Sequence, residues 1–219
     1  SLGATGRFRE GDLDVLVAVS TLISAAIQFA SAHEIAIEKQ TAERDLRVAR
    51  QIQETLLPTG HPDLDGWSFD QYYRAARQVG GDYFDYLPLP DGRLVVLVAD
   101  ACGKGVSAAI LISIVSGELK SCLAGRLSPA AALARVNARL LAAECDNKFV
   151  TLLMVVIDTQ SGSLELLNAG HFDPLLRRSD GTVVRLGADS RRLPLGIEAD
   201  VGYSPTENRL APGESLVLF

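Results

Sequence analysis

Two aspartates in glycine-rich settings are the residues of this sequence best placed to do chemistry. Asp82 lies in Val79-Gly80-Gly81-Asp82-Tyr83-Phe84-Asp85, and Asp100 in Val98-Ala99-Asp100-Ala101-Cys102-Gly103-Lys104-Gly105. Asp100 ends a valine-rich run, Leu94–Ala99, that reads as a strand buried on both faces, and the loop after it opens a helix. A carboxylate in such a place is costly to desolvate unless a cation or hydrogen-bond donors meet it. Were the two segments neighbouring strands, both carboxylates would converge at one end of a sheet. Hard cations such as magnesium or manganese take carboxylate oxygens, backbone carbonyls and water as ligands in such a place. The competing reading is that each aspartate caps a turn, which aspartate often does. Spacing alone does not separate the two.

Other chemistries find little support. Gly103-Lys104-Gly105 is no P-loop, because glycine follows Lys104 and valine stands five positions before Gly103. Gly105-Val106-Ser107-Ala108-Ala109 lacks the final glycine of a nucleophile elbow. Cys102, Cys122 and Cys145 form no C-x-x-C pair and no zinc pattern, and none has the downstream arginine of a cysteine phosphatase; reduced thiols of a cytoplasmic protein are the simplest reading. A net charge of −6 supplies no basic field for nucleic acid. It fits a cation site or basic partners, and equally plain solubility. With 47% hydrophobic and 22% charged residues the chain is expected to be globular, not disordered. Ser1–Gly6 reads as the start of a fragment, since no basic region precedes an apolar core as in a signal peptide.

The elements that must position the aspartates follow from periodicity and turn chemistry. Residues from Asp12 to Leu57 read as one helix, roughly 65 Å long at about 1.5 Å per residue. Val15–Ala32 carries no charge and meets the length of a membrane span, but Ser20, Ser24, Gln28 and Ser31 share one face. A helix packing on a partner is the favoured expectation. In its charged second half Ile37, Leu46, Ala49, Ile52 and Leu56 suggest a two-stranded coiled coil, the alternative being a lone helix along its own domain. Pro58 ends it. Three hairpins are expected: Tyr83–Leu89 with Leu94–Ala99, Leu152–Ile157 with Leu164–Asn168, and Leu175–Arg178 with Val183–Leu186. Between the first two lie helices over Val106–Leu123 and from Ser128-Pro129 to about Cys145. The order predicts an α+β domain of face-to-face sheets with helices outside.

In order and spacing, a series of short boxes resembles the SpoIIE/RsbU branch of the PPM metal-dependent phosphatases. They are Ala49-Arg50-Gln51-Ile52-Gln53 with Leu56-Leu57-Pro58, the two aspartate boxes, Phe149-Val150-Thr151-Leu152, Asn168-Ala169-Gly170-His171 with Pro174, Leu193–Ile197 and Leu210–Glu214. The resemblance implies an αββα sandwich of two antiparallel sheets flanked by helices, preceded by a long linker helix. It implies residues 1–57 as a helix derived from a GAF-type sensor plus a coiled-coil linker, and 58–219 as a C-terminally incomplete phosphatase domain. Asp82 and Asp100 match catalytic metal ligands and Ala101 a carbonyl ligand, for two Mn2+ or Mg2+ ions in the complete domain. The implied substrate is a phosphorylated STAS-type anti-sigma-factor antagonist, in sigma-factor regulation. Arg50, Gln51 and Gln53 would form a regulatory linker segment, and the N-terminal helix a homodimer contact. A cytoplasmic protein without nucleic-acid or membrane partners is expected. Family members carry later metal ligands after a strand like Ser215–Phe219, so the chain as given is expected to hold an incomplete site. The alternative is a non-catalytic dimeric signalling module that keeps the fold. His171 is read as structural and Lys104 as solvated.

Overall fold

The computed structural model describes residues 10–74, 79–143, 148–187 and 191–219, and the chain divides into two units, Ser1–Asp45 and Leu46–Phe219. Cys145 and the Ser1–Gly6 segment lie outside the described residues.

The first unit is the greater part of α1 (Glu10–Glu54), 45 residues without an interior proline, about 68 Å long. Along it Ser20 and Thr21 both donate back to the Val17 carbonyl, at 2.9 and 2.8 Å, and Thr41 donates to Ile37. These three hydroxyls are satisfied within the helix, and of the polar stripe seen in the sequence Ser20 is among them. Leu16, Val19, Leu22, Ile23 and Ile27 are exposed, and by length and composition this stretch is apolar enough to cross a membrane.

The second unit holds the end of α1 and the sheets. A six-stranded sheet runs β1 (Asp82–Pro88), β2 (Leu94–Ala101), β3 (Val150–Ile157), β4 (Ser163–Ala169) and β7 (Arg191–Arg192), with β8 (Thr206–Arg209) also on β4. A three-stranded sheet runs β6 (Val183–Arg185), β5 (Leu175–Arg177), β9 (Ser215–Val217). All pairings are antiparallel except the short β4–β7 contact. Between β2 and β3 come α2 (Val106–Ala124) and α3 (Pro129–Ala142), the latter capped by Ser128, whose hydroxyl accepts from the Ala131 N–H.

All three expected hairpins form, and the turns show why. Asp91, Asp158 and Asp180 each accept a backbone N–H two residues on. Gly162 follows Asp158 at φ +73°, where an added Cβ would sit 2.4 Å from the Leu210 carbonyl oxygen, so only glycine fits. One apolar layer joins α2 and α3 to the helix-facing side of the large sheet, through Val95, Leu97, Leu111, Val115, Leu119, Leu152 and Met154. A second joins the sheets face to face, with Leu153, Val155, Leu164 and Leu166 against Leu176, Leu186 and Leu216.

One expectation is corrected. The strand buried on both faces is β3, not Leu94–Ala99. Val95, Leu97 and Ala99 are sealed by the helices, while Val96 and Val98 are half-buried and line, with Phe84 and Tyr86, a cleft.

Candidate active site

The β1–β2 ladder sets Asp82 directly opposite Asp100. Opposed residues of an antiparallel pair carry their Cβ atoms about 5 Å apart on one face, so like charges there repel. Asp100's carboxyl is accordingly held above the ordinary carboxylate range, first by partial desolvation and then by the charge and hydrogen bonding of Asp82. Among the described residues neither carboxylate caps a turn, which sets aside the bland reading of the sequence.

Gly81 shapes the space beside them. A Cβ on it would lie 3.0 Å from the Ala101 carbonyl oxygen, 3.3 Å from Asp100 Oδ1 and 3.4 Å from Ala108 Cβ. Glycine therefore keeps open a small cradle bordered by two oxygen donors. The Ala101 N–H donates to the Gly81 carbonyl at 2.9 Å, closing the end of the ladder, and Thr151 Oγ1 donates to the Asp100 carbonyl at 3.4 Å. Carboxylate and carbonyl oxygens with no sulfur or nitrogen suit a hard divalent cation of the magnesium or manganese kind. Among the described residues no cluster of three or more His, Cys, Asp or Glu side chains forms, so these are the donors the fold brings together.

The end of α1 grips the strand that carries Asp82. Gln53 is buried, its Nε2 donating to the Gly80 carbonyl at 2.7 Å and its Oε1 accepting the Gly80 N–H at 2.9 Å. The amide thus stands in for a neighbouring strand at a point where the ladder has none. Of the other two linker residues, Arg50 pairs with Glu54 on its own helix at 2.7 Å and Gln51 is exposed. Tyr73 lies close enough that burial, and then the charge of Asp82, push its hydroxyl up.

Other side chains that the sequence singled out fall into supporting positions. The His171 ring is within hydrogen-bond distance of Thr151 Oγ1 at 2.7 Å through Nδ1 and of the Phe219 carbonyl at 3.0 Å through Nε2. The bond to the Phe219 carbonyl requires Nε2 to carry a proton. His171 thereby ties Thr151 of β3 to Phe219, two residues past β9. Lys104 is exposed.

Two polar groups were missed. Asn137 of α3 accepts the Gly196 N–H and donates to the Glu198 carbonyl, both at 2.7 Å, pinning the Leu193–Ile197 box beside β3. Asp85, buried on the helix-facing side of β1, meets Tyr83, Tyr86 and Lys120. An acid at an inward position of an alternating strand is the signal that could have exposed it, since such a charge requires a partner.

Residues 90–219 match the Stage II sporulation protein E (SpoIIE) family. This chain belongs to that family. It is 28% identical over 201 residues to protein IcfG of Synechocystis, covering 79% of this chain and 31% of that protein. It is 24% identical over 211 residues to the phosphoserine phosphatase RsbU of Bacillus subtilis, covering 94% and 62% respectively. Against the phosphoserine phosphatase RsbP of the same organism it is 25% identical, over 83% of this chain and 45% of that protein. The chain thus spans between about a third and three-fifths of these curated relatives' length. Among solved structures it is similar to the RsbU and RsbW domains of Rv1364c from Mycobacterium tuberculosis, at 28% identity and TM-score 0.57 over 64% of this chain and 38% of that one. The SiaA-PP2C domain of Pseudomonas aeruginosa shares the fold at TM-score 0.64 and 24% identity, over 81% and 71%. The SpoIIE match begins at Pro90, so it takes in Asp100 and Ala101 and leaves Asp82 and Gln53 to be judged on geometry.

Proposed function

We propose that the protein is a metal-dependent serine/threonine phosphatase acting on a phosphorylated regulatory partner. The observation that carries this reading is the Asp82–Asp100 pair on one rung of the β1–β2 ladder, beside the cradle that Gly81 leaves open, in a chain of the SpoIIE family. Asp82, Asp100 and the Ala101 carbonyl would hold the metal centre. Two Mn2+ or Mg2+ ions, when bound, would supply positive charge for the phosphate oxygens and acidify an attacking water to near neutral pH. The protein's own contribution is to fix the donors: the ladder holds the two carboxylates in register, and Gln53 holds Gly80. Partial desolvation, and then the charge of Asp82, raise Asp100's pKa, and a bound cation would offset both by stabilising the ionised carboxylates.

The proposed substrate is a STAS-type anti-sigma-factor antagonist carrying phosphoserine or phosphothreonine. Support comes from the likeness to RsbU and RsbP, both phosphoserine phosphatases, and to a mycobacterial chain that joins RsbU and RsbW domains. A homodimer through α1 is proposed from its exposed Ile37, Val48 and Ile52, and a cytoplasmic location is proposed alongside it. Residues 1–57 would act as sensor-derived helix and linker, with Arg50, Gln51 and Gln53 passing a signal to the phosphatase domain in 58–219. A second reading, a non-catalytic dimeric signalling module, is favoured by the small donor set, two carboxylates and a carbonyl among the described residues.

Hydrolysis of p-nitrophenyl phosphate by the full-length protein across a manganese titration separates the two. The phosphatase reading expects metal-dependent turnover that Asp100→Asn lowers at least about 100-fold. Absence of turnover at every manganese concentration would sink it in favour of the module.

A further inference from the structure

A buried polar network beside the site is not used by the proposed chemistry. Asp85 is three residues beyond Asp82 on β1, faces the opposite side of the strand and is 4% exposed. Its Oδ2 accepts the Tyr83 hydroxyl at 2.5 Å and the Lys120 ammonium at 2.9 Å, and its Oδ1 accepts the Tyr86 N–H at 2.8 Å. The Tyr83 oxygen accepts in turn from Ser116 Oγ at 2.9 Å. Burial, followed by the Asp85 bond, pushes the Tyr83 hydroxyl far up, so it stays protonated and donates.

Lys120 also reaches outward. Its Nζ donates to the Leu56 carbonyl at 3.2 Å. Leu56 lies just past α1, where Thr55, Leu56 and Leu57 tighten the chain through bonds to Ile52, Gln53 and Glu54. Carbonyls at a helix end lack helical partners and carry partial negative charge, which a cation relieves. The last turn of α1 contains no basic residue of its own. The cation at this helix end therefore comes from α2, across 64 residues of sequence.

We propose that Lys120 is a positioning residue that latches the end of the linker helix to the metal-bearing strand, sharing one ammonium between Asp85 and the Leu56 carbonyl. Together with Gln53 on Gly80, it fixes β1 to the linker on both sides of Asp82, two residues before and three after. Movement of the helix end then moves the strand that carries Asp82. The consequence for turnover rests on the phosphatase reading; the latch itself is a property of the linker and is tested apart from activity.

The test compares Lys120→Met, Lys120→Arg and the double variant Lys120→Met/Asp85→Asn in the full-length protein, by hydrogen exchange and thermal unfolding. In Lys120→Met, amides of residues 50–57 should exchange at least about tenfold faster while those of 111–119 in α2 keep their protection. Lys120→Arg should restore protection of 50–57. The double variant, which leaves no unpaired buried charge, should recover the melting temperature without recovering that protection, and it keeps the test open should the single variant not fold. Unchanged exchange at 50–57, loosening of α2 to the same extent, or recovery of both properties in the double variant would overturn the latch, leaving Lys120 as a neutraliser of Asp85 only. Where wild type hydrolyses p-nitrophenyl phosphate, the manganese concentration for half-maximal rate should rise at least about threefold in Lys120→Met. An unchanged value would overturn the coupling to the site. An inactive wild type would count against the phosphatase reading, and the exchange result would still decide the latch.

Discussion

Replacing Asp100 with asparagine should change stability in opposite directions with and without divalent metal. The substitution preserves shape and removes one of two charges facing each other across the β1–β2 rung. With Cβ atoms about 5 Å apart, two unit charges repel by roughly 3 kcal/mol at an effective dielectric of about 20 and by less than about 1 kcal/mol in bulk water. Asp100 is solvent-exposed, so the lower part of that range applies, about 1 kcal/mol. For a chain of this size that corresponds to a melting temperature about 2–4 °C higher for Asp100→Asn in EDTA at pH 7.5. The pH dependence follows from the direction of the shift. Because Asp100's folded pKa is raised, wild-type stability is fullest below the ordinary carboxylate pKa and is lost as pH rises through the raised value. The gap between variant and wild type should therefore be near zero at pH 4 and widen toward neutrality. In millimolar MnCl2 the sign reverses: wild type gains stability by binding, and the variant gains little. Differential scanning fluorimetry across pH, with EDTA or manganese, reads all of this. A variant less stable than wild type in EDTA, with an undiminished manganese shift, would refute both the repulsion and the metal role.

Gln53→Ala leaves the Gly80 N–H and carbonyl without their side-chain partner and should cost about 2 kcal/mol or more in urea unfolding, with a higher manganese requirement for turnover. Gly81→Ala brings a Cβ to 3.0 Å from the Ala101 carbonyl oxygen, so it should abolish manganese stabilisation while the far-ultraviolet circular dichroism stays that of wild type. Asn137→Ala frees the Gly196 N–H and the Glu198 carbonyl; amide exchange at Gly196 should accelerate at least about tenfold, and an unchanged rate would show that the β3 contact of Leu195 alone holds this box.

How much of this was legible follows from which interactions are local. The three hairpins could be read because each turn is set by an aspartate and a glycine within a few residues, and α3 because Ser128-Pro129 is a start signal in itself. The metal candidates were found because glycines beside Asp82 and Asp100 are unusual at strand ends. Their juxtaposition was only conditional until the ladder showed the register. The burial of Leu94–Ala99 was misjudged because composition cannot say that the second sheet covers β3 and β4 while the outer face of β2 borders a cleft. The helix was expected to Leu57 and ends at Glu54, since bonds to the third preceding residue tighten the last turn. Asp85 with Lys120, and Asn137 with Gly196, join residues tens of positions apart, and no spacing rule reaches that far. Within Arg50, Gln51 and Gln53, only the fold distinguishes the buried Gln53 from its exposed neighbours.

The most direct measurement is manganese-dependent phosphate release from a phosphoserine-bearing STAS-type protein by the full-length protein, beside Asp82→Asn and Asp100→Asn. The account predicts release that requires manganese or magnesium, stops in EDTA and falls at least about 100-fold in each variant. Release that persists in EDTA, or that survives in both variants, would contradict a metal centre built on the Asp82–Asp100 rung.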